Sequence, residues 1–473
     1  MPRRQLRLAA PDGIADHLRE LRDELELPAG FPVDVLEEAG EAARAPRLPG
    51  EDLTDLAFVT LDPPESLDLD QALHIERRGS GYRLHYAIAD VAAFVAPAGA
   101  LDEEVHRRGL TLYGPDARTP LHPTVLSEGA ASLLPGQDRP ALVWRFDLDS
   151  DGEAGSVDLR RAVVRSRAKL DYPSVQADLD AGRDGVAGEL LREVGELRLR
   201  REAERGGVSL PVPEQVAVRS DDGWRLEYRA PLPVEAWNAQ VSLLTGMAAA
   251  GIMLDGGMGV LRTLPEADPR DVDRLRRVAR TLGVEWPESQ GYPDFVRSLD
   301  PALPSHSAVI DTATTLLRGA GYLAFDGTVP DGARHAAIAA PYAHTTAPLR
   351  RLVDRYVGEV CLALLAGTDV PEWARAALPG LPDAMSSATR RASTYERACL
   401  DLVEAALLEG QTGRTFTGVV VEVDAGKERG EVHLDEPAVR ARVEGPALPL
   451  GERVEVELVE ASLAERRVRF VPA

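Results

Sequence analysis

From about Gly188 to Leu408 the apolar residues recur at helical spacing, whereas the stretches on either side read as short strands. The clearest helical runs are Glu189–Arg205, Val234–Leu254, Arg270–Leu282, Leu349–Leu365 and Ala384–Leu408. Leu56 to about Val175 is mostly strands and loops. Behind the helices, Phe416–Val423, Glu431–Leu434, Val439–Val443, Arg453–Val459 and Arg467–Phe470 alternate with Gly-containing turns, the pattern of a small barrel. Strands followed by helices predict an α+β fold. Ahead of everything, helical runs at Gly13–Leu25 and Val33–Ala43 are joined by Pro28-Ala29-Gly30-Phe31-Pro32. They suit a helix-turn-helix or a helical arm packed on the next domain. At 473 residues the chain can bury about three cores, and the expected units are 1–50, 51–409 and 410–473.

The chemistry points to one place. Asp62-Pro63-Pro64-Glu65-Ser66-Leu67-Asp68-Leu69-Asp70-Gln71 sets three aspartates and a glutamate directly before an apolar strand. Crowded carboxylates raise one another's pKa, so such a loop is either fully solvated or neutralised by a cation. Oxygen ligands without Cys or His favour Mg²⁺ or Mn²⁺ over zinc, and Mg²⁺ commonly shares its coordination with substrate phosphate. A helix-loop-helix calcium site is excluded, because Gly and Glu do not fall at its sixth and twelfth positions.

The sequence around this loop resembles the bacterial ribonuclease II (RNB) family. The resemblance rests on four motifs in order. They are Asp-x5-Asp-x-Asp followed by Ala72–Ile75, the Gly79-Ser80-Gly81 turn and Tyr82–Val91; Ala168-Lys169-Leu170-Asp171-Tyr172; Tyr342-Ala343-His344-Thr345-Thr346-Ala347-Pro348-Leu349-Arg350-Arg351; and Glu396-Arg397 on a late helix. The resemblance implies an RNB catalytic domain, a C-terminal RNA-binding OB barrel, and processive 3′-to-5′ hydrolysis of RNA to nucleoside 5′-monophosphates with Mg²⁺ or Mn²⁺. It also implies metal ligation by Asp62, Asp68 and Asp70, with Gln71 in the position of a fourth aspartate, and catalytic roles for Asp70, Arg350 and Glu396. Gln offers a neutral oxygen and no charge. Tyr113 and Tyr172 match aromatics that stack on the 3′ end, whereas Leu210 stands where the family has a Phe and Ser242 where it has a Glu that reads the ribose. The family usually carries two cold-shock domains before the catalytic one. Here the preceding segment reads as helices, so the expectation is a member lacking them, with an entry that admits structured RNA carrying a 3′ overhang as well as single strands.

Two further groups of basic residues belong to this reading. Arg350 and Arg351 follow Pro348, and as a helix start they would present two guanidinium groups where phosphate is already favoured. Arg161, Arg165, Arg167 and Lys169 share one face of a strand, as a phosphate track or as an ordinary charged outer face.

A net charge of −23 argues against a nucleic-acid partner on the outer surface but not against a basic channel. With Gln71, Leu210 and Ser242, the charge motivates the alternative function, a non-catalytic or attenuated RNA-binding protein on an RNB scaffold. Cys361 and Cys399 sit in apolar helical patterns and read as buried free thiols. No run of 18 apolar residues occurs, and Met1-Pro2-Arg3-Arg4-Gln5 leads into no apolar signal core. The expectation is a cytoplasmic monomer with no membrane partner.

Overall fold

The computed structural model describes residues 14–473 apart from 184, 186, 187, 211, 213, 221, 222, 302 and 435. Helices α1 (Ala15–Glu24) and α2 (Val33–Arg44) come first, separated by the Pro28–Pro32 turn. The expected run from Gly13 begins outside the described residues. Strands β1 (Phe58–Asp62), β2 (Gln71–Arg78) and β3 (Gly81–Ala89) follow. The β2–β3 hairpin turns through Gly79-Ser80, and Gly79 supplies the positive φ of +60° that a two-residue turn requires. After α3 (Ala100–Arg108) a small hairpin, β4 (Leu112–Tyr113) and β5 (Arg118–Thr119), precedes the long strands β6 (Asp138–Leu148) and β7 (Ala154–Asp171).

Strands β1, β2, β3, β6 and β7 close into a barrel. Closure is made by the parallel pairing of β1 with β7, which sets Asp62 beside Asp171. Alternation along these strands drives Phe58, Leu84, Tyr86, Trp144 and Phe146 inward, all at most 1% exposed. Each such side chain contributes about 1.5–3 kcal/mol by leaving water.

The next segment holds α4 (Tyr172–Asp180), α5 (Gly188–Arg205), strands β8 (Glu214–Ser220) and β9 (Gly223–Arg229), then α6 (Pro233–Gly256) and β10 (Met258–Thr263). After these come α7 (Pro269–Thr281), α8 (Tyr292–Arg297), α9 (Pro304–Ala313), β11 (Gly321–Asp326), β12 (Arg334–His335) and β13 (Ala340–Pro341), then α10 (Leu352–Ala366), α11 (Glu372–Ala377) and α12 (Leu381–Leu408). The five expected helices are present. The region is nonetheless less helical than its periodicity suggests, because β8–β9 form a hairpin and β10 pairs with the distant β11. A window of local periodicity cannot see a partner some sixty residues away.

Strands β14 (Thr415–Asp424), β15 (Arg429–Leu434), β16 (Arg440–Glu444), β17 (Arg453–Ser462) and β18 (Arg467–Pro472) form the second closed barrel, in the order β14-β15-β16-β18-β17. The fold is α+β as expected, with a helical start and a five-stranded terminal barrel. One apolar core runs through both barrels, α6, α10 and α12, and a smaller one gathers α7, α8 and α9. Cys361 and Cys399 are free and buried, and burial lifts the Cys399 thiol to about 12. No described helix is long and apolar enough to cross a membrane.

Candidate active site

The acidic loop leaves the barrel at the end of β1 and re-enters at the start of β2, and it is held by its backbone. The Lys169 ammonium, reaching from β7, donates to the carbonyls of Pro64 (2.5 Å) and Ser66 (2.7 Å). The fully buried Ser132 accepts from the Leu69 N–H (3.0 Å) and donates to the Leu67 carbonyl (2.6 Å). These four bonds fix the direction of the intervening carboxylates. Lys169 is thus a positioning residue for the loop rather than a free phosphate contact. Lys169→Met is expected to weaken metal affinity and turnover about tenfold, since it removes two charge-assisted hydrogen bonds from the loop. Metal titration and steady-state rates check this, and Lys169→Arg should restore part of both.

Asp70 is 2% exposed, and its Oδ1 accepts the Leu349 N–H at 2.8 Å. Its Oδ2 lies 3.4 Å from Arg350 Nε. Asp68 accepts from Arg118 Nη1 at 2.9 Å and from the Tyr113 hydroxyl at 3.4 Å. Asp62, at the end of β1, has a buried Oδ2 with no hydrogen-bond partner among the described residues. Burial lifts the Asp62 carboxyl to about 6, with Arg350 opposing and Asp68 adding to the rise. Burial likewise holds Asp70 well above the usual carboxylate range, again against the pull of Arg350.

Among the described residues no three acidic, His or Cys side chains stand together as a finished ligand set. Asp68 is turned onto Arg118, and Asp70 onto Leu349 and Arg350. The donor chemistry still fits a hard divalent cation. All the donors are oxygens, one Asp62 oxygen is buried without a partner, and both raised carboxyls carry a desolvation cost that a cation would relieve. Two pH effects follow. A cation must displace the Asp62 proton, so Mn²⁺ affinity should fall about tenfold per pH unit below about 6, measurable by calorimetry. Because the folded value lies above that of the unfolded chain, the metal-free protein should also lose stability as pH rises from about 4 through about 6, and urea melts should show that slope.

Gln71 makes a contact through its amide nitrogen, and the oxygen that would be the ligand takes no part in it. Its amide nitrogen donates to the Thr346 carbonyl, tying the start of β2 to the loop that carries Arg350. A carboxylate has no proton to donate there. Arg350 and Arg351 do not open a helix as the Pro348 position suggested. Pro348 lies in a turn, Arg351 is extended (φ −135°) and bridges to Leu110, and α10 begins only at Leu352. Arg351 is held by Asp354, with Nε and Nη2 at 3.0 and 2.8 Å. Arg350 keeps a partly exposed side chain beside Asp70.

The aromatic positions flank this cluster. Asp171 caps α4 by accepting the Ser174 N–H at 2.8 Å, which sets Tyr172 at the first turn, and the Tyr172 hydroxyl accepts from Asn238 at 3.0 Å. Burial raises both Tyr113 and Tyr172 to about 12, so both stay neutral hydroxyls. Ser242 bonds the hydroxyl of the buried Tyr86 at 2.8 Å.

The other predicted residues make contacts with further parts of the fold. Leu210 packs against the small cluster of Leu264, Leu317 and Ala336. Arg167 donates to the Thr54 carbonyl at 2.6 Å, Arg165 pairs with Asp138, and Arg161 pairs with the buried Asp90 and with Glu359. Arg161 and Arg165 are thus paired with carboxylates, whereas the exposed Arg167 meets a backbone carbonyl. Glu396 lies on α12 beside Tyr395, whose hydroxyl abuts Gly114 next to Tyr113. Sequence reasoning missed Arg118, Ser132, Tyr86 and Asn238. Arg118 pairs with Tyr113 across two strands of two residues each, too short to show a period in the sequence.

Residues 50–367 match the model for the RNB domain, and residues 414–473 match the RNase II-type exonuclease C-terminal S1 domain. The chain is 28% identical to Escherichia coli Ribonuclease R over 92% of its own length, and spans 58% of that protein. Its fold is similar to Mycoplasma genitalium RNase R in complex with ribose-methylated single-stranded RNA (TM-score 0.85, 19% identity, 98% of this chain and 78% of that one). It is also similar to yeast Ssd1, described as a pseudonuclease (TM-score 0.65, 17% identity, 90% of this chain and 53% of that one).

Proposed function

Because the chain belongs to the RNB family of exoribonucleases, we propose that it is a metal-dependent, processive 3′-to-5′ exoribonuclease that hydrolyses single-stranded RNA to nucleoside 5′-monophosphates. The observation that carries this reading is the gathering of Asp62, Asp68 and Asp70 beside Arg350 and Tyr113 at one end of the first barrel. Asp62, Asp68 and Asp70 would hold Mg²⁺ or Mn²⁺, which when bound supplies an activated water and charge neutralisation for phosphodiester hydrolysis.

The protein's own groups do the rest. Arg350, partly exposed and restrained by Asp70, offers its guanidinium to the charge that develops on the scissile phosphate. Tyr113 and Tyr172 present half-buried rings with their hydroxyls already engaged, which suits stacking on the last bases without regard to sequence. Ser242 and Asn238 hold Tyr86 and Tyr172 from α6. Glu396 is assigned to orienting the terminal nucleotide.

The competing reading is an RNA-binding protein with little or no turnover. It is favoured by Gln71, whose amide is engaged with Thr346 where a fourth carboxylate is expected, and by the likeness in fold to a pseudonuclease. A time course on RNA labelled at either end separates the two. The proposed activity converts the 5′-labelled strand to a short end product without accumulating intermediates, and releases a labelled 5′-mononucleotide at once from the 3′-labelled one. A strand left intact under both labels would instead support the competing reading, and internal fragments from both labels would contradict the exonucleolytic one.

A further inference from the structure

Ile14, Leu18 and Leu21, all at most 1% exposed, pack α1 into the main core. Arg22 falls four residues after Leu18 and three before the half-buried Leu25, so it lies on the same inward face. A guanidinium among apolar side chains needs a partner. Arg22 finds one in the tip of the β4–β5 hairpin, where its Nη1 and Nη2 donate to Asp116 Oδ1 and Oδ2 at 2.7 and 2.9 Å. The two side chains are only 23% and 22% exposed. Nη1 also lies 3.4 Å from the hydroxyl of Tyr395 on α12. Arg19, three residues earlier and exposed, pairs instead with Asp16 of its own helix.

The hairpin needs such holds. It has two residues in each strand, and its tip is spanned by the Gly114 N–H donating to the Ala117 carbonyl at 2.9 Å. A two-stranded ribbon of that length does not keep its place unaided. Tyr395 presses on Gly114 closely enough to leave no room for a side chain there, and Arg22 grips Asp116. At the other end Tyr113 and Arg118, a cross-strand pair, both reach Asp68, and Arg118 Nη2 also lies 2.7 Å from Glu128. A continuous path of contacts therefore runs from α1 through Asp116 and the hairpin to Tyr113, Arg118 and Asp68.

We propose that Arg22 is a positioning residue of the active site, gripping Asp116 so that the β4–β5 hairpin presents the Tyr113 ring to the base at the 3′ end of an RNA strand. Two parallel charge-assisted bonds from one planar group fix direction as well as distance. The first helix then serves the substrate site as well as the packing of the chain. This inference rests on the stacking role proposed for Tyr113; the grip of Arg22 on the hairpin does not.

The test uses Asp70→Asn protein in chelator, which leaves RNA uncut, and a single-stranded oligoribonucleotide whose 3′-terminal base is 2-aminopurine. Stacking quenches the fluorescence of that base. At saturating protein the quenching reports the stack and not the affinity. The expected result is strong quenching in the parent, little in Tyr113→Ala, and quenching reduced by about half or more in both Arg22→Ala and Asp116→Asn. RNA affinity should fall about threefold to tenfold in each, the scale of a partly lost base stack. Asp116→Asn keeps the size of its side chain, so it carries the test should Arg22→Ala disturb α1. The double variant should match either single one, because both break the same contact. Glu24→Ala removes another ion pair of α1, to Arg466 in the β17–β18 turn at 2.8 and 3.0 Å, without touching the hairpin, and should change neither readout. Full quenching in Arg22→Ala and Asp116→Asn, an effect of only one of the two, or an equal effect of Glu24→Ala overturns the proposal. Undiminished quenching in Tyr113→Ala removes Tyr113 from the 3′ end and overturns the reading of the site along with it.

Discussion

Asp70→Asn should lower hydrolysis by on the order of 10³-fold while leaving RNA affinity within about twofold, because the change removes charge without removing shape. Asp70 is buried, and its Oδ1 already accepts the Leu349 N–H, a bond that the Asn oxygen keeps. What is lost is the negative Oδ2 facing Arg350 and any hold on a divalent cation. Burial holds this carboxyl well above its ordinary range, so the neutral amide should leave the metal-free protein at least as stable as before near pH 8. Loss of activity without loss of Tm is therefore the signature. Single-turnover rates, filter binding and thermal melts on one preparation check all three. Near-normal turnover at saturating Mg²⁺ would remove Asp70 from the chemistry.

Arg350→Ala should reduce kcat by about 10²–10³ with KM little changed, as expected of a group that meets charge chiefly in the transition state. The substitution leaves the chain path alone, since the Arg350 carbonyl still accepts the Thr111 N–H. Its neighbour gives a built-in contrast. Arg351 is committed to the buried Asp354, which also accepts the Ala347 N–H. Arg351→Ala should therefore lower Tm, by leaving a buried carboxylate short of its partner, more than it lowers kcat. If Arg350→Ala changed only KM, its role would be a ground-state contact.

The sequence was most informative where chemistry and local pattern coincide. The acidic loop, the β2–β3 turn and the late Tyr342–Arg351 motif were readable as neighbours of strands and helices, and the fold class and terminal barrel follow from the switch in period. The limits were physical. Lys169 reads as a phosphate contact because its strand parity shows only which face it leaves, and nothing local reveals that two carbonyls of the acidic loop lie within its reach. The helix start expected after Pro348 fails because Arg351 bridges to Leu110, a partner far away in the chain. Gln71 looked like a weakened ligand, and its use as a donor to Thr346 depends on a loop 275 residues further on. Leu210 occupies a motif position, yet its packing on Leu317 and Ala336 is decided by the helical half of the domain.

The most direct test of the central claim measures binding and cleavage of one RNA by the same protein sample. A 5′-labelled single-stranded oligoribonucleotide is incubated with chelator-treated enzyme, its binding is recorded, and Mg²⁺ is then added back. The account predicts binding in both conditions, and progressive shortening from the 3′ end with release of 5′-mononucleotides only after Mg²⁺ returns. Tight binding with an intact strand at every Mg²⁺ or Mn²⁺ concentration would contradict it and leave the carboxylate and arginine cluster as part of an RNA-binding scaffold.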